Sequence, residues 1–273
     1  MLRRFLKAAA AACCAAMVAE PALAQGDLLV APTRLVLPGG GGGEVVVSNT
    51  GDRTTTYRIS LVLRRMDRTG QIKPVDEQAA TPAEAAALEI LNYAPRKVTL
   101  APQQAQTVRI GVRAPPTLAP GEYRAHLLFR AVPDAVAPPA PGTAPAADGM
   151  SIALTPIYGV AIPVIVRIGE VAGEARIVSA ERSAVDGQSG VTVTIARTGA
   201  RSAYGSIDLM AAGQAKPVVT VKGIAAYAEV EERSLFVPVP PEKLAGAKGA
   251  LSARFVENDA AARGGAPSEV PVR

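Results

Sequence analysis

Apolar and polar residues alternate in short runs along most of this 273-residue chain. A clear example is TTTYRISLVLRR at residues 54–65, in which every second residue from Tyr57 to Leu63 is apolar. A period of two is typical of a β-strand with one buried face. Turn-forming residues separate such runs about every ten residues, a spacing typical of β-sandwiches. The pattern therefore predicts an all-β chain that folds as two sandwiches in tandem.

The stretch MSIALTPIYGVAIPVIVRI, residues 150–168, is the run around which the rest of the chain is organised. Its first apolar positions are Met150, Ile152 and Leu154, which alternate with small or polar residues. Pro156 and Pro163 also lie in it, and because proline has no N–H for a ladder, they favour a strand at the edge of a sheet. An apolar edge strand can pair with another chain. Either another segment covers this strand, or pairing is its function.

Composition also sets the predicted boundaries. Residues 133–149 are rich in Pro, Ala and Gly and are expected to form a loop within the first domain. A change in composition near Gly169 predicts a first domain at residues 25–168 and a second at 169–273.

Residues 28–37 are expected to form one strand with a kink at Pro32. Thr81, Pro82 and Glu84 predict a helix start with a capping box.

Residues 1–24 have the pattern of a secretory signal peptide, with a basic start, an apolar run and Ala-Leu-Ala at the end. Export to the periplasm is therefore expected. Cys13 and Cys14 lie in this segment, so the mature chain is expected to have no disulfide. The net charge of the mature chain is below the +5 of the whole chain. This charge is too small to predict binding to nucleic acid. No other apolar run is long enough to predict membrane insertion of the mature chain.

Candidate catalytic residues are few. His126 is the only histidine, and alternation places it on the outward face of its strand with Arg124 and Arg130, where a surface role is expected. With one histidine and no cysteine beyond the signal segment, no metal site, cofactor or catalytic centre is predicted, and the protein is not expected to be an enzyme. The acidic residues Glu229, Glu231 and Glu232 are interpreted as a solvated strand end.

Two arginines stand out because of their positions. Arg34 has apolar neighbours, and it is either a solvating charge on an edge strand or an anion anchor, since guanidinium groups bind carboxylates with two parallel bonds. Arg167 lies at the end of the central run. It either terminates that strand or bridges to acidic residues of the second domain.

Several segments then occur in the order typical of one known family. They are VAPTRLVL (30–37), VSNTGD (47–52), APRKVTLAP (94–102), QTVR (106–109), GEYR (121–124) and the alternating run at 150–154. As an ordered set over residues 28–167 they resemble the PapD-like periplasmic pilus chaperones of the chaperone–usher pathway. The second half resembles that family only weakly.

The resemblance implies two immunoglobulin-like domains in an L arrangement and a function in donor-strand complementation. In this mechanism the chaperone lends an edge strand to a pilus or surface-fibre subunit that lacks one, and an outer-membrane usher receives the complex. Met150, Ile152 and Leu154 match the donor positions. The alternative left open is an exported structural or adhesive surface protein. A free chaperone is also a candidate for capping its edge by pairing with a second copy.

The resemblance also implies roles for single residues. Arg34 matches the arginine that anchors the client's C-terminal carboxylate, whereas the lysine that the family has on the donor strand has no counterpart near Gly159. Tyr158 is the candidate for a hydroxyl contact in its place. Arg167 matches the residue that forms an interdomain salt bridge.

Overall fold

A computed structural model describes residues 27–133, 157–246, 250–259 and 267–273. The predicted signal peptide, most of the predicted loop, and the three donor candidates Met150, Ile152 and Leu154 lie outside the described residues. The described part is dominated by β-strands, which confirms the predicted all-β class.

The strands in chain order are β1 (Leu28–Ala31), β2 (Leu35–Pro38), β3 (Gly42–Asn49), β4 (Thr55–Met66), β5 (Ile72–Val75), β6 (Leu91–Ala94), β7 (Lys97–Leu100), β8 (Ala105–Val112), β9 (Gly121–Val132), β10 (Gly159–Ile168), β11 (Gly173–Val185), β12 (Gln188–Gly199), β13 (Ala203–Ala211), β14 (Val219–Ala226), β15 (Glu232–Pro238), β16 (Leu251–Glu257) and β17 (Ser268–Pro271). The helices are a 3-10 turn at Glu77–Ala79, α1 at Pro82–Ile90 and α2 at Pro241–Gly246.

Two sheets form the first sandwich. One has the order β1-β3-β8-β6, and the other has the order β2-β10-β9-β4-β5 with β7 also paired to β4. Alternate residues of both sheets point inward, and Val45, Val47, Ile59, Leu127 and Phe129 are buried in the shared core. The core is mainly aliphatic, as expected for a chain with no tryptophan and four phenylalanines.

The predicted first strand is two strands in different sheets. β1 pairs with β3, whereas β2 pairs in parallel with β10. The chain crosses between the sheets after Pro32, which has a fixed φ and no N–H, so the first ladder ends there. The prediction of one kinked strand was therefore wrong, and Arg34 lies on the crossing segment.

The strand β10 has neighbours of unequal length. It pairs with β9 along its whole length, whereas β2 pairs only with Val164–Arg167. The amide of Ala131 donates to the carbonyl of Tyr158 at 3.0 Å, which makes these two residues a hydrogen-bonded pair. Because such pairs alternate in an antiparallel ladder, the backbone groups of Gly159 and Ala161 point away from β9. Among the described residues, no strand pairs with them on that side.

The second sandwich begins after Ile168. Its sheets have the orders β11-β12-β15 and β14-β13-β16-β17, and the predicted boundary falls between β10 and β11. Its core contains Ile195, Ile207, Leu209 and Phe255. The L arrangement of the two domains stays a prediction.

The helix α1 begins as its sequence predicts. Thr81 Oγ1 accepts a hydrogen bond from the Glu84 amide at 3.3 Å, and the Glu84 carboxylate accepts one from the Thr81 amide at 2.8 Å. This capping box confirms the predicted helix start. Arg65 on β4 donates to the same carboxylate at 2.7 Å and so ties the helix to the sheet.

Candidate functional site: the cleft between the domains

An apolar contact joins the two sandwiches. Met66 and Ile165 of the first domain are buried together with Ala225, Tyr227 and Val230 of the second. The second domain therefore covers part of the outward face of the sheet that contains β4, β9 and β10.

His126 lies under this cover. Its exposed fraction is 3 %, and its ring meets the ring of Tyr227 edge-on with centroids 6.4 Å apart. Burial, together with the charges of Arg124 and Arg64, lowers the pKa of His126 to about 3, so the imidazole is neutral. The expectation of a surface histidine was wrong, because alternation identifies an outward face but not a second domain that covers it.

Arg167 bridges the domains. Its guanidinium donates to both oxygens of Asp259, from Nη1 to Oδ1 at 3.0 Å and from Nη2 to Oδ2 at 2.7 Å. Its Nε donates to Glu122 Oε2 at 3.1 Å. Burial alone would lower the pKa of Arg167, but the bonds to Asp259 and the charge of Glu122 hold it above its usual value. This two-point geometry is the strong form of an ion pair.

Arg34 contacts the same acidic residue. Its Nη2 lies 3.3 Å from Asp259 Oδ2, and its guanidinium lies 4.6 Å from the centroid of the Tyr204 ring. The Arg34 side chain is 15 % exposed. It therefore already binds a carboxylate of its own chain, while its role toward a client stays a prediction.

Further contacts complete this network. Arg201 pairs with Glu257 and lies 3.8 Å from Asp259 Oδ2. The amide of Ser202 donates to Glu122 Oε2 at 3.1 Å. Asp259, Glu122 and Arg201 had no sequence signal of their own, since Asp259 lies 92 residues from Arg167 and 225 from Arg34.

A second ion pair closes the cleft near Tyr227. Arg124 donates to both oxygens of Glu229, at 2.9 and 2.6 Å, and its guanidinium lies 3.8 Å from the centre of the Tyr227 ring. The amide of Met66 also donates to Glu229, at 2.8 Å. Glu229 is therefore an interdomain residue. It is exposed just after the end of β14, as its interpretation as a solvated group predicted, but that interpretation missed its ion pair with Arg124.

The turn between β4 and β5 also contacts the second domain. The amide of Ser234 donates to the carbonyl of Arg68 at 2.9 Å. Gly70 in this turn has a φ of +86°, and a Cβ on it would lie 2.3 Å from Nε of Arg233. Only glycine fits this close approach without displacing the arginine.

Among the described residues, the start of β10 has no strand partner on the side away from β9. Just before it, Ile157 is 46 % exposed and Tyr158 is 54 % exposed. Nearby, a cavity of about 260 Å³ opens between the domains. Its lining residues are Arg64, Ile72, His126, Gly159, Ala161, Pro163 and Tyr227.

The described residues contain no group of three or more His, Cys, Asp or Glu side chains placed to hold a metal ion. None of the helices described is long and apolar enough to cross a membrane.

Comparisons with known proteins give similarity in structure only. No family model and no curated protein matches the sequence. The CupB2 chaperone of Pseudomonas aeruginosa is similar with a TM-score of 0.46 and 13 % identity, over 89 % of this chain and 98 % of that one. The E. coli chaperone DraB has a TM-score of 0.45 and 15 % identity, over 90 % and 96 %. The CsuC–CsuE chaperone–subunit complex of Acinetobacter baumannii gives a TM-score of 0.45 and 9 % identity, over 90 % and 97 %.

Proposed function

We propose that this protein is a periplasmic chaperone for pilus or surface-fibre subunits, which it binds by lending an edge strand. The observation that carries the proposal is the one-sided pairing of β10 at its start, where β9 pairs with Gly159 and β2 does not reach it. Unpaired N–H and C=O groups on a strand edge are a template for a strand of another chain.

The sequence before β10 fits the same function. Met150, Ile152 and Leu154 alternate with small residues and are the proposed donor side chains. Burying an aliphatic side chain stabilises a complex by roughly 1.5–3 kcal/mol, so three of them offset part of the cost of association. Binding of this kind protects a subunit that lacks one strand until an outer-membrane usher receives it.

The cleft has a separate role in this proposal. Arg167 and Asp259 hold the domains in one arrangement, and Arg34 lies beside them with its guanidinium directed at a carboxylate. A client's C-terminal carboxylate has the same chemistry as Asp259 and would share or exchange Arg34. Tyr158 is exposed next to the lent edge, where its hydroxyl is accessible to the client.

The test replaces two donor side chains. The double variant Ile152→Glu/Leu154→Glu is expressed with its subunit, and the subunit recovered with the chaperone from the periplasm is measured. Recovery is expected to fall at least tenfold, because charged side chains cannot enter an apolar groove. The matched control is Val185→Glu, since Val185 is an exposed apolar residue, 43 % accessible, on β11.

Unchanged recovery with the double variant would reject strand lending. Polymers of the purified chain alone would instead favour the structural or adhesive surface protein.

A further inference from the structure

We propose that one end of the sheet that contains β4, β7 and β9 binds the surface of a bilayer with anionic phospholipid. The contact residues are Lys97 on β7, Arg58 on β4 and Arg130 on β9, which together form the basic row. Arg58 is near the start of β4, whereas Met66 at the other end packs on the second domain, so the row lies away from the cleft. None of the roles proposed above uses the basic row, and lipid binding does not require strand lending.

The register of the sheet aligns the three cations. Arg58 lies opposite Lys97 on one side and opposite Arg130 on the other. Residues directly opposite each other point to the same face of a sheet, and all three side chains are exposed. Because neighbouring strands are about 4.8 Å apart, the row spans roughly 10 Å. This is close to the Debye length at physiological salt, so the three charges act together on a charged surface.

The basic row has no acidic partner among the described residues. None of the ion pairs there includes Lys97, Arg58 or Arg130. Elsewhere in the same domain, an exposed cation on a strand is placed opposite an acid, since Arg109 lies opposite Glu44 and pairs with it. Like charges directly opposite each other destabilise a sheet, and an external anionic surface would balance them.

The positions around the row on the same face are uncharged. They are Thr56 and Ser60 on β4, Thr99 on β7, and Leu128 and Val132 on β9. This part of the face therefore has positive charge only.

Exposed apolar side chains lie next to the row. Val132, two residues after Arg130 on the same face, is 36 % exposed. Ile157 and Tyr158 are also exposed, and the carbonyl of Tyr158 accepts a hydrogen bond from the amide of Ala131 beside Val132. These are three of the seven large apolar side chains that are exposed in the described part of the chain, so such side chains are concentrated at this end of the sheet.

This combination fits a bilayer better than an acidic protein. Lys and Arg beside exposed aliphatic and aromatic side chains are typical of surfaces that lie at a membrane interface. Specific binding of a carboxylate uses a fixed guanidinium with two bonds, as Arg124 has with Glu229. No hydrogen bond to another described residue fixes the end of Arg58 or of Arg130, and such free side chains adapt to mobile headgroups.

The experiment measures binding to vesicles by flotation. The protein is the chain from Gln25 onward, which contains every residue that the structure describes. Vesicles of phosphatidylglycerol mixed with phosphatidylcholine are compared with vesicles of phosphatidylcholine alone. The anionic vesicles are expected to bind at least about tenfold more strongly, and to lose most of this binding when salt rises from about 0.1 M to about 1 M.

A triple variant tests the basic row. Arg58→Gln/Lys97→Gln/Arg130→Gln is expected to weaken binding to the anionic vesicles roughly a hundredfold, since each cation near such a surface strengthens binding roughly fivefold. Without lipid, its melting temperature should equal or exceed that of the original protein, because opposed like charges are removed. A lower melting temperature would contradict the proposal, because it would show that the row stabilises the fold.

The matched control removes the same charge elsewhere. Arg176 and Arg182 on β11 and Lys222 on β14 are exposed and have no ion pair among the described residues. Arg176→Gln/Arg182→Gln/Lys222→Gln is expected to weaken binding by less than about fivefold, the effect of a single contact charge. Equal losses in the two triple variants would overturn the proposal, because net charge alone would explain the binding.

The apolar contact and the kind of partner are tested separately. Val132→Ser should weaken vesicle binding at least about threefold, while Val178→Ser, at an exposed valine on β11, should not. Soluble polyglutamate is the probe for an acidic protein. Binding to polyglutamate without binding to vesicles, or equal binding to neutral and anionic vesicles, would overturn the proposal.

Discussion

Asp259 joins the two domains through contacts with several arginines. It accepts hydrogen bonds from Arg167 and Arg34 and lies near Arg201, and its side chain is only 4 % exposed. A buried carboxylate is tolerated because these guanidinium groups replace its water. The arginines in turn need the charge of Asp259 to balance their own, so removing that charge alone leaves their positive charges uncompensated.

The first prediction is that Asp259→Asn destabilises the protein by about 3–5 kcal/mol, because it leaves buried arginines without their shared counterion. Urea unfolding followed by circular dichroism measures the change. The control is Glu44→Gln, which breaks the ion pair with Arg109 where both side chains are exposed, and it should cost less than about 1 kcal/mol. Equal losses in the two variants would contradict a central role for Asp259.

His126 predicts a dependence on pH. Its pKa is about 3 in the folded protein, whereas an unfolded histidine has about 6.5, so the unfolded state binds more protons between these values. Stability is therefore lost as the pH falls below about 6.5, by roughly 2 kcal/mol at pH 5. The variant His126→Phe should not show this loss. Urea unfolding at both pH values, in buffers without acetate or phosphate, tests it, and an equal loss in both proteins would count against a neutral buried histidine.

At the level of elements, the turn between β4 and β5 is a second connection between the domains. It provides the carbonyl of Arg68 to the Ser234 amide, and Gly70 lies against Arg233. Met66 and Ile72 at the base of this hairpin pack on the second domain. The hairpin and the Asp259 network thus hold the cleft at two separate places.

Gly70→Ala is therefore expected to loosen this connection, because the new Cβ would meet Arg233 and the backbone has a positive φ. Hydrogen exchange of the Ser234 amide should become at least tenfold faster. Gly40→Ala is the matched control, since Gly40 has a φ of +81° with nothing within 4 Å, and it should leave the Ser234 amide unchanged. Slow exchange in both variants would show that the hairpin does not control docking.

The sequence predicts long elements better than short ones. Alternation over many residues located β4, β8 and β9, and local capping chemistry located α1. The strands β5, β6 and β17 have four residues each, which is too short for a period to be recognised. Pro32 signals an interruption of the strand, but the change from one sheet to the other depends on pairing with distant strands, which has no local signal.

At the level of the whole molecule, the contact between the domains decides which polar residues are buried. Sequence position singled out Arg34, which has apolar neighbours, and Arg167, which lies at the end of an apolar run. It did not identify Asp259, the burial of His126 or the ion pair between Glu229 and Arg124, because these environments depend on how one sandwich covers the other. The hydrophobic pattern and residue propensities therefore predict the interdomain sites less well than the strands and helices.

The side of β10 away from β9, which has no strand partner at Gly159 and Ala161 among the described residues, gives the last prediction. The Ala161 amide points away from β9, so Ala161→Pro removes a donor from the free edge and leaves the β9 ladder intact. Pro163 already occupies the equivalent position two residues later. The variant should stay folded yet lose association with a client or with a second copy of the chain, as measured by sedimentation and co-purification.

Val160→Pro, which removes a donor to β9, should instead destabilise the domain by about 3 kcal/mol or more. Full association by folded Ala161→Pro would show that this edge is not the one that pairs.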